Sequence, residues 1–251
     1  WIDVYENKGK RSGAYSSGCY DVHPYILLNY NGTVDNLFTL AHELGHALHS
    51  YFSNKNQPFV YSNYKIFLAE IASTLNECLL TDYLLKNTKE ITEKKLYINQ
   101  YLETFKGTVF RQTKFAEFEK IIHENIENNE PLTSNNLQEM YRNLTREYYG
   151  DNIILDSEIN MEWARIPHFY YNFYVYQYAT GFSAATAISQ KLINNSKNAV
   201  ENYINFLKSG DSDYPLNILK KTGVDMNTAE PIESAITVFK DYLSKFRKLK
   251  E

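Results

Sequence analysis

Two patterns of apolar and polar positions divide the chain. Residues 1–34 are short runs between turn signals at Ser12-Gly13, Ser17-Gly18 and Asn31-Gly32. Among them His23–Tyr30 reads as a strand, and Pro24 places it at a strand start or on a sheet edge. An edge strand offers free backbone groups to an extended peptide. Beyond Asp35-Asn36, which suit a helix cap, the pattern turns helical. It predicts helices over 37–52, 64–85 and 134–148, and one over 167–194 with Pro167 as its first residue. Residues 90–128 read as one amphipathic stretch, with Ile98, Tyr101, Leu102, Phe105 and Val109 at helical spacing. Shorter helices are predicted near 198–208, 215–221 and 231–249. With no internal repeat or linker, the expectation is a mainly α unit, with sheet and loops over 1–34 and helices over 35–251.

Composition excludes several classes. With 251 residues, 43% hydrophobic and 22% charged, the chain is globular rather than disordered. At this length it buries about three quarters of its unfolded surface, so a core needs no disulfide or metal. No apolar run approaches the ~20 residues of a membrane span. A net charge of −4 and a pI near 5.9 argue against a general nucleic-acid binder. The basic tail Lys245, Arg247, Lys248 and Lys250 reads as a solvated helix end. Cys19 and Cys78 form no disulfide framework and are expected as free thiols. The chain opens at Trp1 with neither Met nor a signal-peptide pattern, which suggests a piece of a longer protein. Tyrosine is abundant, 22 residues, and suits clefts that grip polar ligands.

The chemistry concentrates in His42-Glu43-Leu44-Gly45-His46, an H-E-x-x-H motif. Residues i and i+4 share a helix face with Cβ atoms ~5–6 Å apart, so both imidazoles can reach one zinc. Glu43, beside them, is placed to act as general base. Composition alone yields this motif in roughly one chain in a hundred of this length. Its context adds weight, because Leu37, Phe38, Leu40, Ala41, Leu44, Ala47 and Leu48 require a buried helix, where polar residues need partners. A catalytic zinc takes three protein ligands and keeps an open position. His49 and Phe52 stand where a metzincin has Gly and His, which disfavours that class. Glu70 lies within the apolar run Ile66–Ala72, where a carboxylate needs a cation, and is the candidate third ligand. Glu77, two turns further on the same face, is a candidate acceptor for the outer N–H of a ligand imidazole. His49 reads either as a second such partner or as a packing residue.

These residues carry a family resemblance. His42–His49 and Phe67–Thr74 resemble the M3 metallopeptidases, and more narrowly the bacterial oligoendopeptidase F branch. Ser12–Tyr15, Pro24–Asn29 and Arg165–Tyr171 are similar to that branch too. The resemblance implies a zincin-like helical catalytic domain over 1–251, one Zn²⁺ held by His42, His46 and Glu70, and a bacterial cytoplasmic location. It further implies that the chain is the C-terminal part of a longer peptidase, partnered by an N-terminal helical portion. His168, Tyr171, Tyr174 and Tyr178 fall at i, i+3, i+6 and i+10, one side of a helix. The resemblance implies that a histidine and tyrosines here bind substrate and stabilise the oxyanion, a role carried to His168, Tyr174 and Tyr178, with Tyr171 as a substrate contact.

The expected function is therefore a zinc endopeptidase of oligopeptides, with no nucleic-acid or membrane partner. Its substrate is expected to lie extended along Tyr25–Tyr30, with Tyr25 in contact. Two alternatives are a metallocarboxypeptidase of a related helical type and a non-catalytic peptide-binding fragment. Internal cuts in a blocked peptide favour the first reading, and intact Glu43 argues against a pure binding module.

Overall fold

The computed structural model describes residues 1–249, so Lys250 of the basic tail lies outside the described residues. The architecture is helical with one small sheet. Strands β1 (Ile2–Asp3), β2 (Tyr15–Ser17) and β3 (Tyr25–Leu27) precede α1 (Val34–Asn56) and α2 (Ile66–Asn87). Then follow α3 (Ile91–Phe105), α4 (Arg111–Glu127), α5 (Ser134–Tyr149), α6 (Tyr176–Ile193), α7 (Ala199–Leu207), α8 (Pro215–Lys220) and α9 (Glu230–Lys248). The chain divides into two compact units, Trp1–Glu103 with the stretch from Gly181 onward, and Thr104–Thr180.

In the first unit α2 is the central element. Leu68, Ile71, Ala72, Ser73, Thr74 and Leu75 are all buried, so the helix is enclosed on more than one side. Its apolar residues pack with Ala184, Ala185 and Ile188 of α6, Phe206 and Leu207 of α7, and Ile218 and Leu219 of α8. α1 starts at Thr33, whose hydroxyl accepts the Asn36 N–H, rather than at Asp35-Asn36. The sheet packs on α1 through Ile26, Leu28 and Ala47.

The sheet order is β1-β3-β2, which corrects the placing of the 25–30 strand at an edge. β3 is central, parallel to β1 and antiparallel to β2. Ile26 and Leu28 donate to Trp1 and Asp3 carbonyls, which turns Tyr25 and Leu27 toward β2. Tyr15 and Ser17 thus face β3, and Ser16 turns its backbone groups outward. Pro24 marks the start of β3, and the edges are β1 and β2.

Two helix expectations over the second unit also change. The 90–128 stretch is interrupted by a π-helical segment at Lys106–Phe110, where one wider turn shifts the register. The 167–194 helix does not form as one piece. Pro167–Tyr171 is a 3₁₀ turn, and Asn172 and Phe173 take positive φ values of 34° and 56° before α6 begins at Tyr176. This unit has its own core, made by Phe115, Phe118, Tyr141, Leu144, Ile166 and Val175. Glu162, held by Arg111, Lys114 and Tyr141, fixes the stretch that leads into Ile166.

Candidate metal centre

α1 and α2 cross at unusually close range, and the sequence explains why. Gly45 faces the α2 backbone, where an added Cβ would stand 2.5 Å from Ser73 Cα and 2.6 Å from the Ala72 carbonyl. Small residues on α2, Ala69, Ala72 and Ser73, leave room for that approach. His42 and His46 flank Gly45 on α1, and Glu70 lies one turn before Ser73 on α2. The crossing therefore carries Glu70 to both imidazoles.

The result is a triangle of donors. His42 Nε2 and His46 Nε2 are 3.2 Å apart. Glu70 Oε2 lies 3.4 Å from the first and 3.7 Å from the second. Tetrahedral ligands at ~2.0–2.1 Å from a zinc ion stand about 3.3–3.4 Å from one another. The three atoms thus already have the spacing of three corners around one ion. Among the described residues, His42, His46 and Glu70 form the group of histidine, cysteine and carboxylate side chains able to hold a metal.

Electrostatics favour a cation there. Burial alone would lower the His42 pKa, but the Glu70 and Glu77 carboxylates hydrogen-bonded to it raise it to about 10. Burial also pushes Glu70 up, yet His42 and His46 outweigh it and hold its carboxyl below the ordinary range. His46 is lowered, chiefly by burial. A proton kept between two carboxylates in this way can be exchanged for a divalent ion.

The surrounding groups fix this arrangement. Glu77 Oε1 is 2.5 Å from His42 Nδ1, so Nδ1–H donates to the carboxylate and leaves Nε2 to face the triangle. Ser73 Oγ donates to Glu70 Oε2 at 3.3 Å. Asn76 Nδ2 donates to the Ala41 carbonyl at 3.1 Å, a further tie between α1 and α2. Glu43 is only 7% exposed, and burial raises its pKa. The nearby Ser16 backbone opposes that rise only in part, and Glu43 Oε2 has no hydrogen-bond partner.

Sequence reasoning did not find Gly45, Ser73, Ser16 or Tyr64. Gly45 lay inside the motif it used, as an unassigned position. His49 is 1% exposed and stacks on Tyr64 at 3.7 Å, and its buried Nδ1 has no hydrogen-bond partner. Gly181 of α6 brings that helix against Glu70, with an added Cβ meeting Glu70 Cβ at 3.6 Å.

In the second unit His168, Tyr174 and Tyr178 do come together, though not on one helix face. The His168 ring lies 5.5 Å from Tyr174 and 5.8 Å from Tyr178, and Tyr178 Oη is 3.3 Å from His168 Nε2. Tyr171 is more exposed and 6.2 Å from Tyr174. Tyr25 is exposed on β3 beside His23.

An H-E-x-x-H helix packed against a second helix that brings a carboxylate to both imidazoles is an arrangement able to hold one catalytic metal ion. Comparison with known proteins agrees: the model of peptidase family M3 matches residues 1–238, and the chain belongs to that family. It is 55% identical over 249 residues to oligopeptidase PepF of Bacillus subtilis, covering 99% of this chain and 37% of that protein. It is 53% identical over 251 residues to the chromosomal oligoendopeptidase F of Lactococcus lactis subsp. cremoris, covering 100% of this chain and 42% of that one. The crystal structure of oligoendopeptidase-F from Enterococcus faecium matches with a TM-score of 0.78 and 50% identity, over 86% of this chain and 39% of that one. A crystal structure from Chlamydophila abortus matches with a TM-score of 0.91 and 55% identity, over 100% of this chain and 42% of that one. The chain thus spans about two fifths of the length of these relatives. The family is one of zinc metallopeptidases.

Proposed function

We propose that residues 1–251 are the catalytic portion of a zinc-dependent endopeptidase acting on oligopeptides. The observation that carries this is the donor triangle of His42, His46 and Glu70, whose edges of 3.2, 3.4 and 3.7 Å suit one tetrahedral ion. When bound, zinc supplies a Lewis acid that polarises the scissile carbonyl and lowers the pKa of a water.

The chain's own residues do the rest. Glu77 holds the His42 tautomer, and Ser73 holds the Glu70 carboxylate. Glu43 removes the proton of the attacking water and returns it to the leaving amine. Its burial and its unpartnered Oε2 support that role. The substrate backbone pairs with the outward edge of β2 at Ser16, beside Glu43, instead of with the central β3. Tyr25, with its ring exposed, remains a substrate contact. We assign stabilisation of the oxyanion to His168, Tyr174 and Tyr178, and a substrate contact to Tyr171. The names of the relatives support short peptides as substrates. The remaining substrate contacts fall to the sequence that those relatives carry beyond this span.

Among the described residues no helix is long and apolar enough to cross a membrane. The relatives are bacterial and Cys19 and Cys78 are free, which supports a reducing cytoplasm as the working compartment. The test is Glu43→Gln. It is expected to keep zinc and to lose cleavage of a quenched fluorogenic peptide by ~100-fold or more. Undiminished cleavage by that variant removes Glu43 as the base.

A further inference from the structure

We infer that Glu119 is the positioning residue of the segment assigned to oxyanion stabilisation, an inference that rests on the role proposed for His168, Tyr174 and Tyr178. The segment is anchored at both ends, because Ile166 and Val175 are buried in the core of the second unit. Between these anchors the chain must reverse, and it does so at Asn172 and Phe173, with φ of 34° and 56°. Asparagine tolerates that region, whereas a bulky residue such as phenylalanine is an outlier there. Phe173 must therefore be held in place by something outside the loop.

Glu119 of α4 does this. It is 1% exposed, and its Oε1 accepts the Phe173 amide N–H at 2.7 Å. His123, one turn further along α4, packs its ring 4.6 Å from that of Phe173. The other oxygen of Glu119 is buried without a hydrogen-bond partner. An apolar side chain would fill this place without desolvating a carboxylate. The carboxylate is accounted for by the amide it receives.

The held reversal creates the cluster. In one continuous helix the ten residues from His168 to Tyr178 would rise ~15 Å. With the break, their rings are 5.8 Å apart and Tyr178 Oη is 3.3 Å from His168 Nε2. Tyr174 folds back to 5.5 Å from both rings. Glu119 thus acts on the reaction through the geometry of three other side chains.

The experiment uses the full chain with Glu119→Met, which fills the space without accepting the amide, and Glu119→Gln, which keeps an acceptor. Nuclear Overhauser contacts between His168 and Tyr178 report the cluster, and steady-state cleavage of a fluorogenic peptide reports its use. Glu119→Met is expected to lose the contact and about 100-fold in kcat, with KM within about threefold, and Glu119→Gln to restore both. A retained contact in Glu119→Met, or a lowered melting temperature with kcat unchanged below it, overturns the inference. Hydrogen exchange of the Phe173 amide in the unmodified chain decides the matter even if Glu119→Met does not fold. Slow exchange is expected, and exchange as fast as an exposed loop amide overturns the clamp. If the unmodified chain cleaves no peptide, the proposed function fails by itself, and the contact and exchange measurements still decide the part played by Glu119.

Discussion

Gly45→Ala tests the link between helix packing and metal geometry. The new methyl would lie 2.5 Å from Ser73 Cα, 2.6 Å from the Ala72 carbonyl and 2.7 Å from the Ser73 nitrogen. All three are backbone atoms of α2, which no rotamer change can move. Ordinary contact begins at 3.4 Å, so α1 and α2 must separate by about 0.9 Å, the difference between 3.4 and 2.5 Å. His42 and His46 move with α1 and Glu70 with α2, so the 3.4 and 3.7 Å edges of the triangle absorb the shift. Metal–ligand distances tolerate only about ±0.2 Å. Overpacking of this kind costs about 1–3 kcal/mol. If zinc binding must restore the close crossing, the same energy weakens its affinity by ~5–150-fold. As stability it lowers the melting temperature by about 2–12 °C. Competition against a chromophoric chelator and a thermal melt read the two effects. Gly107→Ala is the control, since a Cβ there meets nothing within 4 Å. A Gly45→Ala protein that binds zinc as the unmodified chain does and melts within 1 °C of it (roughly the resolution of a melt) would refute the coupling of crossing to site.

Two further outcomes follow from the same geometry. Glu77→Ala removes the acceptor of the His42 Nδ1–H and should weaken zinc binding ~10–100-fold while the helices stay folded, read by chelator competition and circular dichroism. Unchanged affinity would remove Glu77 from the site. His49 is held neutral by burial, its pKa lowered from 6.5 to about 3. The unfolded chain therefore binds more protons between those values, and this part of the stability is lost as pH falls from 6.5 toward 3. At pH 5 the loss is about 2 kcal/mol, and urea unfolding with chelator present should show it in the unmodified chain but not in His49→Leu. Equal pH slopes in the two proteins would contradict it.

Much of the site was legible because metal chemistry constrains local spacing. His42 and His46 are set by helix periodicity, and Glu70 was conspicuous as a carboxylate in an apolar run. Glu77 followed from sharing a helix face with Glu70. What stayed hidden depends on contacts between segments distant in sequence. Nothing in His23–Tyr30 says that residues 1–3 will pair beside it, so β3 read as an edge. The aromatic segment has helical spacing from His168 to Tyr178, and the break at Asn172-Phe173 depends on Glu119, more than fifty residues earlier (54 positions). The cluster was therefore anticipated with the wrong geometry. Gly45 was hidden for a similar reason, because its value lies in the α2 backbone opposite it.

The most direct measurement is an anomalous difference map, recorded at the zinc edge from crystals of the zinc-loaded chain. One peak is expected, ~2.0–2.1 Å from His42 Nε2, His46 Nε2 and a Glu70 carboxylate oxygen. A peak elsewhere, or one that lacks any of these three atoms within bonding distance, would contradict the assignment of the metal centre.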